Sequence, residues 1–241
     1  MEKLAQTIFH RHSVRKFSPR PLDEETLQKI EQVIPTLKPL YPDIKVKFSI
    51  VERNKIRTLM PWSSPHYLAV FSEEKSGFWE NAGFIFAQLD LYLQSNGIGC
   101  CWLGLGKPNK DFEKPEGEWR FVIMLAIGLP ESKMRGGAEH FKRKKLEDIS
   151  DILDTRLEPV RLAPSSINSQ PWYFTHNGNE LRAFMPSRKP LGLKTLENMN
   201  RIDMGIALAH AFVSYPDAFN FYNENPAPTL KGYDYIGTFK I

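Results

Sequence analysis

Apolar residues recur along this chain in two distinct periods, and the changes of period mark its elements. Residues 2–10 show helical spacing. Residues 23–33 form a second helix, opened by the capping region Pro21-Leu22-Asp23 and stopped ahead of Pro35. Residues 45–52 then alternate Val46, Phe48 and Ile50 with Lys45, Lys47 and Ser49, the period of a half-buried strand, and residues 67–71 read as another. Gly77 opens a long helix in which Phe78, Ala82, Ile85, Phe86, Leu89 and Leu93 recur at steps of three and four until Asn96-Gly97 ends it. Its opposite face is apolar too, as expected of a helix buried on several sides. Residues 120–128 are a continuous apolar run suited to the middle of a sheet.

After Gly128-Leu129-Pro130 the chain turns polar, and residues 131–145 are expected to be a surface connection between two halves, about 1–135 and 136–241, of one domain spanning 1–241. A short helix around 157–162 follows, then a loop at Pro164. Residues 172–176 and 180–184 read as a hairpin across Asn177-Gly178. A second long helix covers about 196–214. The tail holds two strand-like pieces, 219–222 and 235–241, the last expected to pair with the main sheet. The two long helices share a weak repeat: Asn81-Ala82-Gly83-Phe84-Ile85-Phe86-Ala87 and Asp203-Met204-Gly205-Ile206-Ala207-Leu208-Ala209 each hold a Gly and an Ala four positions later. Small residues so placed let helix backbones approach, although Gly and Ala also recur by chance in buried helices. The pattern predicts an α+β fold.

Composition narrows the function classes. With 241 residues, 41% hydrophobic and 25% charged, the chain has the balance of a globular protein with a sizeable core. No signal-peptide pattern opens it, and no apolar run approaches the roughly 18 residues of a membrane span, so a cytoplasmic protein is expected. The two cysteines, Cys100 and Cys101, are adjacent and lack C-x-x-C spacing, which indicates neither a disulfide framework nor a zinc site. His10 and His12 have no third ligand at metal spacing. A net charge of +4 suits an anionic cofactor and falls short of the dense basic face of a nucleic-acid binder. Neither G-x-G-x-x-G nor a P-loop occurs.

Two stretches far apart carry the chemistry. Arg11-His12-Ser13-Val14-Arg15 supplies two guanidiniums, an imidazole and a hydroxyl, donors suited to a phosphate and the polar edge of a flat heterocycle. Pro164-Ser165-Ser166-Ile167-Asn168-Ser169-Gln170-Pro171-Trp172 offers small hydroxyls and an amide on a turn. Together they resemble the FMN-binding R-x-S-x-R/K and P-S-S-x-N-x-Q-P-W segments of the nitroreductase family. Gly97-Ile98-Gly99-Cys100-Cys101-Trp102-Leu103-Gly104 resembles that family's G-L-G-x-C-W-I-G, which runs past the flavin ring. Arg143, ahead of Lys144-Lys145-Leu146-Glu147, loosely resembles the basic residue of its R-x-P-L-E, where Lys142 or Lys144 could take the same part.

The resemblance covers nearly the whole chain and looks like the single-chain "TM nitroreductase" branch. In the family's dimers each flavin takes the basic arm from one subunit and the serine loop from the other. Here residues 35–43 have no Ser-Ser, and the second half has no arm ahead of its loop. The resemblance therefore implies one chain imitating the dimer, monomeric, with a single flavin site where its halves meet. It implies an FMN-dependent NAD(P)H oxidoreductase that reduces a small planar acceptor, a nitro compound or a quinone. By that match the FMN contacts are Arg11, His12, Ser13, Arg15, Cys101, Trp102, Leu103, Gly104, Arg143, Pro164, Ser165, Ser166 and Asn168. Gly104 lies near flavin N5, and no side chain is needed as acid or base. Neither nucleic acid nor membrane is implied as a partner, and no metal. The alternatives are a non-catalytic flavin carrier or sensor, and a dehalogenase-type relative on the same fold. A basic binding module without cofactor, suggested by residues 142–145, is a third.

Overall fold

A computed structural model describes residues 1–131, 136–187 and 194–241. The fold is α+β. Helices α1 (Glu2–Ile8) and α2 (Glu24–Val33) precede strand β1 (Val46–Glu52), a two-residue strand β2 (Ile56–Arg57) and β3 (His66–Ser72). Helix α3 (Phe78–Ser95) leads to β4 (Gly99–Leu103), the short β5 (Lys107–Pro108) that pairs with β2, and β6 (Arg120–Gly128). Helix α4 (Glu158–Arg161), the hairpin β7 (Tyr173–Asn177) and β8 (Glu180–Pro186), helix α5 (Lys194–Ser214), β9 (Asn220–Tyr222) and β10 (Tyr233–Lys240) complete the chain. As predicted, the Asp23 side chain caps α2, accepting from Thr26 N at 2.8 Å. Among the described residues no helix is long and apolar enough to cross a membrane.

Strands form two antiparallel four-stranded sheets in the orders β1-β3-β6-β4 and β7-β8-β10-β9. Their connectivity is the same. Each sheet has two neighbouring strands, then a long helix, then an edge strand, then the strand that inserts beside the second (β1, β3, α3, β4, β6 and β7, β8, α5, β9, β10). The C-terminal strand therefore joins the second sheet rather than the first, contrary to expectation, because Tyr233–Lys240 registers against β8 and β9. Strand β4 was not anticipated at all. Its Gly-Cys-Cys-Trp-Leu run has no alternation, since both of its faces are covered.

Helices α3 and α5 pack on each other at the centre and are buried almost all round. The repeat glycines sit at their crossing. A Cβ on Gly83 would overlap the carbonyl oxygen of Ile202, and one on Gly205 would overlap that of Glu80. Backbone thus meets backbone, from both sides. The connection at 131–145 is largely exposed over its described part, except that Phe141 packs with Ile8, Leu91, Leu162 and Val213. Residues 132–135 of that expected connection lie outside the described residues.

Candidate functional site

The arm and the serine loop meet. Ser13 and Arg15 line one cleft of about 250 Å³ together with Pro164, Ser165 and Ser166. Residues 101–106, from the end of β4, form a further wall, and Ile123, Met199 and Ile206 close its apolar floor. The cleft thus draws on both halves of the chain.

Each wall is fixed by the local chain. The arm lies beside edge strand β4 as a short added strand: Ser13 bridges Cys100, and Val14 N donates to Cys100 O at 2.9 Å. Strand alternation buries Val14 and turns Ser13 and Arg15 to the cleft. Gly104 follows the end of β4, and a Cβ there would come 3.2 Å from Met199 Sδ, so the cleft is tight at this point.

The serine loop is held against its own strain. Ile167, Asn168 and Gln170 have φ of 49°, 59° and 49°, the left-handed region that costs non-glycine residues about 1–3 kcal/mol each. Ile167, β-branched and 83% exposed, is the least expected of the three. Four clamps oppose this cost. Ser165 Oγ accepts from Gln170 N at 2.8 Å; Gln170 Oε1 accepts from Lys144 N at 2.7 Å. Arg143 Nε donates to Ala163 O at 3.0 Å, and its Nη1 to Asn168 Oδ1 at 2.6 Å. Ser166 N donates to both oxygens of Asp203, at 3.1 and 3.0 Å.

Of the thirteen residues anticipated as contacts, nine line the cleft: Ser13, Arg15, Cys101, Trp102, Leu103, Gly104, Pro164, Ser165 and Ser166. Four do not. Arg11 is buried behind the arm in an ion pair with Asp90, Nε to Oδ2 at 3.3 Å, and Asp90 also accepts from Trp102 Nε1 at 2.9 Å. His12 is half-buried, and its N–H donates to Gln94 Oε1. Arg143 is a strut for the serine loop. Asn168 faces away, its Nδ2 donating to Lys142 O at 3.0 Å. A motif fixes residue types but not the direction in which each side chain points.

Sequence reasoning missed the apolar floor of the cleft and its one carboxylate among the lining residues, Asp203. It is 4% exposed, and burial pushes its carboxyl well above the usual carboxylate range, opposed by the Ser166 N–H. A signal was available, for Asp203 stands two positions before Gly205 as Asn81 stands two before Gly83. Asn81 performs the same task, accepting Leu40 N and Tyr41 N at 2.9 Å on its Oδ1. Burial likewise raises the Cys101 thiol, against the pull of Arg15 and Arg11, so the cleft holds a neutral sulfur rather than a thiolate. Behind the serine loop, burial drives the His210 imidazole down to about 3; the Pro159 carbonyl opposes this, and the nearby Arg11 charge adds to it.

A family model described as "Putative TM nitroreductase" matches residues 3–214. The chain belongs to this nitroreductase family. Its fold is shared with a "putative nitroreductase" from Thermotoga maritima MSB8, which is 22% identical over 98% of this chain and 91% of that one, with a TM-score of 0.65. Two solved structures resemble a little over half of this nitroreductase-family chain. An "FMN-dependent Nitroreductase" from Clostridium difficile R20291 is 15% identical over 59% of this chain and 98% of its own, with a TM-score of 0.44. A "Nitroreductase with bound FMN" from Desulfitobacterium hafniense DCB-2 is 14% identical over 60% and 100%, with a TM-score of 0.46. No curated protein matches the chain.

Proposed function

We propose that the chain is an FMN-dependent NAD(P)H oxidoreductase of nitroreductase type, and that the cleft between arm and serine loop holds the flavin. The observation that carries this reading is the convergence of Ser13 and Arg15 with Ser165 and Ser166 on one cavity, from segments about 150 residues apart in sequence. The donor set fits the cofactor. Arg15 offers an exposed guanidinium for the phosphate, and the serine hydroxyls suit the ribityl chain and the pyrimidine edge. On the inner side of the arm Arg11 is already paired with Asp90, so Arg15 is the arm guanidinium that lines the cleft. Ile123, Met199 and Ile206 give the apolar surface a flat ring needs.

When bound, FMN supplies two-electron redox chemistry at its ring. The protein's part is to bind, orient and leave room. Met199 and Gly104 set the width of the cleft, and Asp203 keeps the serine loop in register. Leu105 and Ile167, 56% and 83% exposed, leave an apolar rim suited to a planar acceptor such as a nitro compound or a quinone. The chain is read as a monomer that stands for a pair of subunits. The shared connectivity of the sheets and the internal burial of α3 against α5 support this, and light scattering should return a mass near 27.8 kDa. The test of function is anaerobic titration of the yellow protein with NADPH and NADH. Bleaching of the flavin band, followed by recovery on adding a quinone, is the expected result. Bound flavin that neither donor reduces would favour a carrier or sensor instead.

A further inference from the structure

The cleft draws on the first turns of α5, the loop before β7, strand β6 and the chain after β4. The matching parts of the other unit also enclose a cavity, of about 390 Å³: the first turn of α3, the loop before β1, strand β10 and the chain after β9. The correspondence extends to the clamp, since Asn81 holds Tyr41 N as Asp203 holds Ser166 N. What lines the second cavity is different. Tyr41 stands where the cleft has Ser166, its ring closed against Gly77 and edge-on to Phe221 at 5.5 Å. Glu80, Arg201, Asn223, Glu224 and Tyr235 complete the wall.

We propose that this cavity is a second binding site, for a small organic cation bearing a primary ammonium or guanidinium group. Glu80 carries the argument. It is 3% exposed, its Oε1 accepts from Arg201 Nη1 at 2.7 Å, and its Oε2 has no hydrogen-bond partner. A buried carboxylate oxygen without a donor is costly, and a donor arriving with the ligand removes that cost.

The local charge has the right sign. Arg201 lies between Glu80 and Glu197, the latter at 3.5 Å; Arg182 is paired with Glu224, and Lys75 with Glu73. Asp43, at the exposed mouth, has no ion-pair partner among the described residues, so carboxylates outnumber cations around the cavity. An ammonium is a compact three-donor charge that matches the Glu80 oxygen and the Asn223 amide oxygen, and the rings of Tyr41 and Tyr235 can face it. Burial also pushes the Glu80 carboxyl up, opposed by the Arg201 charge, so uptake of a cation should be favoured as pH rises.

Isothermal titration of the purified full-length protein with putrescine, and with propionate as the anionic control, tests the site independently of the flavin reading. Saturable binding of about one putrescine per chain is expected, and none of propionate. Glu80→Gln should weaken putrescine binding at least about tenfold, the loss of one charge-assisted hydrogen bond, with flavin content unchanged. Asp43→Asn, at the mouth, should weaken it about two- to threefold and keeps the test available if the Glu80 variant does not fold. The proposal is overturned by any of three results: no saturable heat below about 10 mM putrescine, undiminished binding in both variants, or release of flavin on adding amine.

Discussion

A methyl group on Gly205 has nowhere to go. It would overlap the Glu80 carbonyl oxygen and lie 2.8 Å from both Glu80 C and Phe84 N, where unstrained carbon contacts begin near 3.5 Å. All three atoms belong to the backbone of α3, so no side chain can rotate aside and the helices must part. Overpacking costs about 1–3 kcal/mol, and rigid backbone places this site at the upper end; the better helix propensity of Ala returns about 1 kcal/mol. Gly205→Ala should therefore destabilise by about 2 kcal/mol, a fall of roughly 4–8 °C in Tm for a chain of this size. Gly83→Ala should behave alike. The double variant should cost less than the sum, because one parting of the helices relieves both overlaps. The shift also reaches the cleft, since Met199, Asp203 and Ile206 ride on α5, so flavin affinity should fall in parallel. Calorimetry and flavin titration measure the two effects. An unchanged or raised Tm in Gly205→Ala would refute the backbone contact on which this reasoning rests.

Two further outcomes follow from carboxylates that accept hydrogen bonds, Asp203 in the cleft and Asp151 and Asp154 beside His176. Asp203→Ala leaves the Ser166 N–H without its acceptor, which should cost about 1–3 kcal/mol and speed proteolysis within 164–170, whereas Asp203→Asn keeps an acceptor and should stay near wild type; equal protease sensitivity of the two variants would argue against the clamp. His176 lies between Asp151 (Nδ1 to Oδ1, 2.6 Å) and Asp154 (Nε2 to Oδ2, 3.1 Å); burial lowers its pKa, but these carboxylates outweigh burial and hold it above 6.5. Its stabilisation is therefore complete below the unfolded value near 6.5 and is lost as pH rises through the raised folded value, so the Tm advantage over His176→Gln should shrink on the alkaline side; an advantage that grew there would contradict the sign.

Much of the fold was legible because burial leaves a period. Helix α3, with apolar residues at steps of three and four, and β1, with its alternation, could be placed from sequence. Strand β4 could not, because a strand covered by sheet, arm and helix has no polar face to reveal its period. The cleft was legible as motifs, which bring Ser13, Arg15, Ser165 and Ser166 together. Its supports were not. Arg11 resembles a phosphate ligand in the sequence, where its pairing with Asp90 of α3 does not show, and Arg143 and Asn168 brace each other across the back of the loop. Such pairings join residues far apart in the chain, and a single sequence does not display them.

The most direct test of the central claim is to quantify the flavin released on denaturing the purified protein, beside the same measurement on Arg15→Ala. One FMN per chain is predicted. The variant should bind FMN one to two decades more weakly, through loss of a charge-assisted contact worth about 1.5–3 kcal/mol. A colourless chain that takes up no added FMN, or an Arg15→Ala variant of unchanged affinity, would contradict the assignment of the cleft.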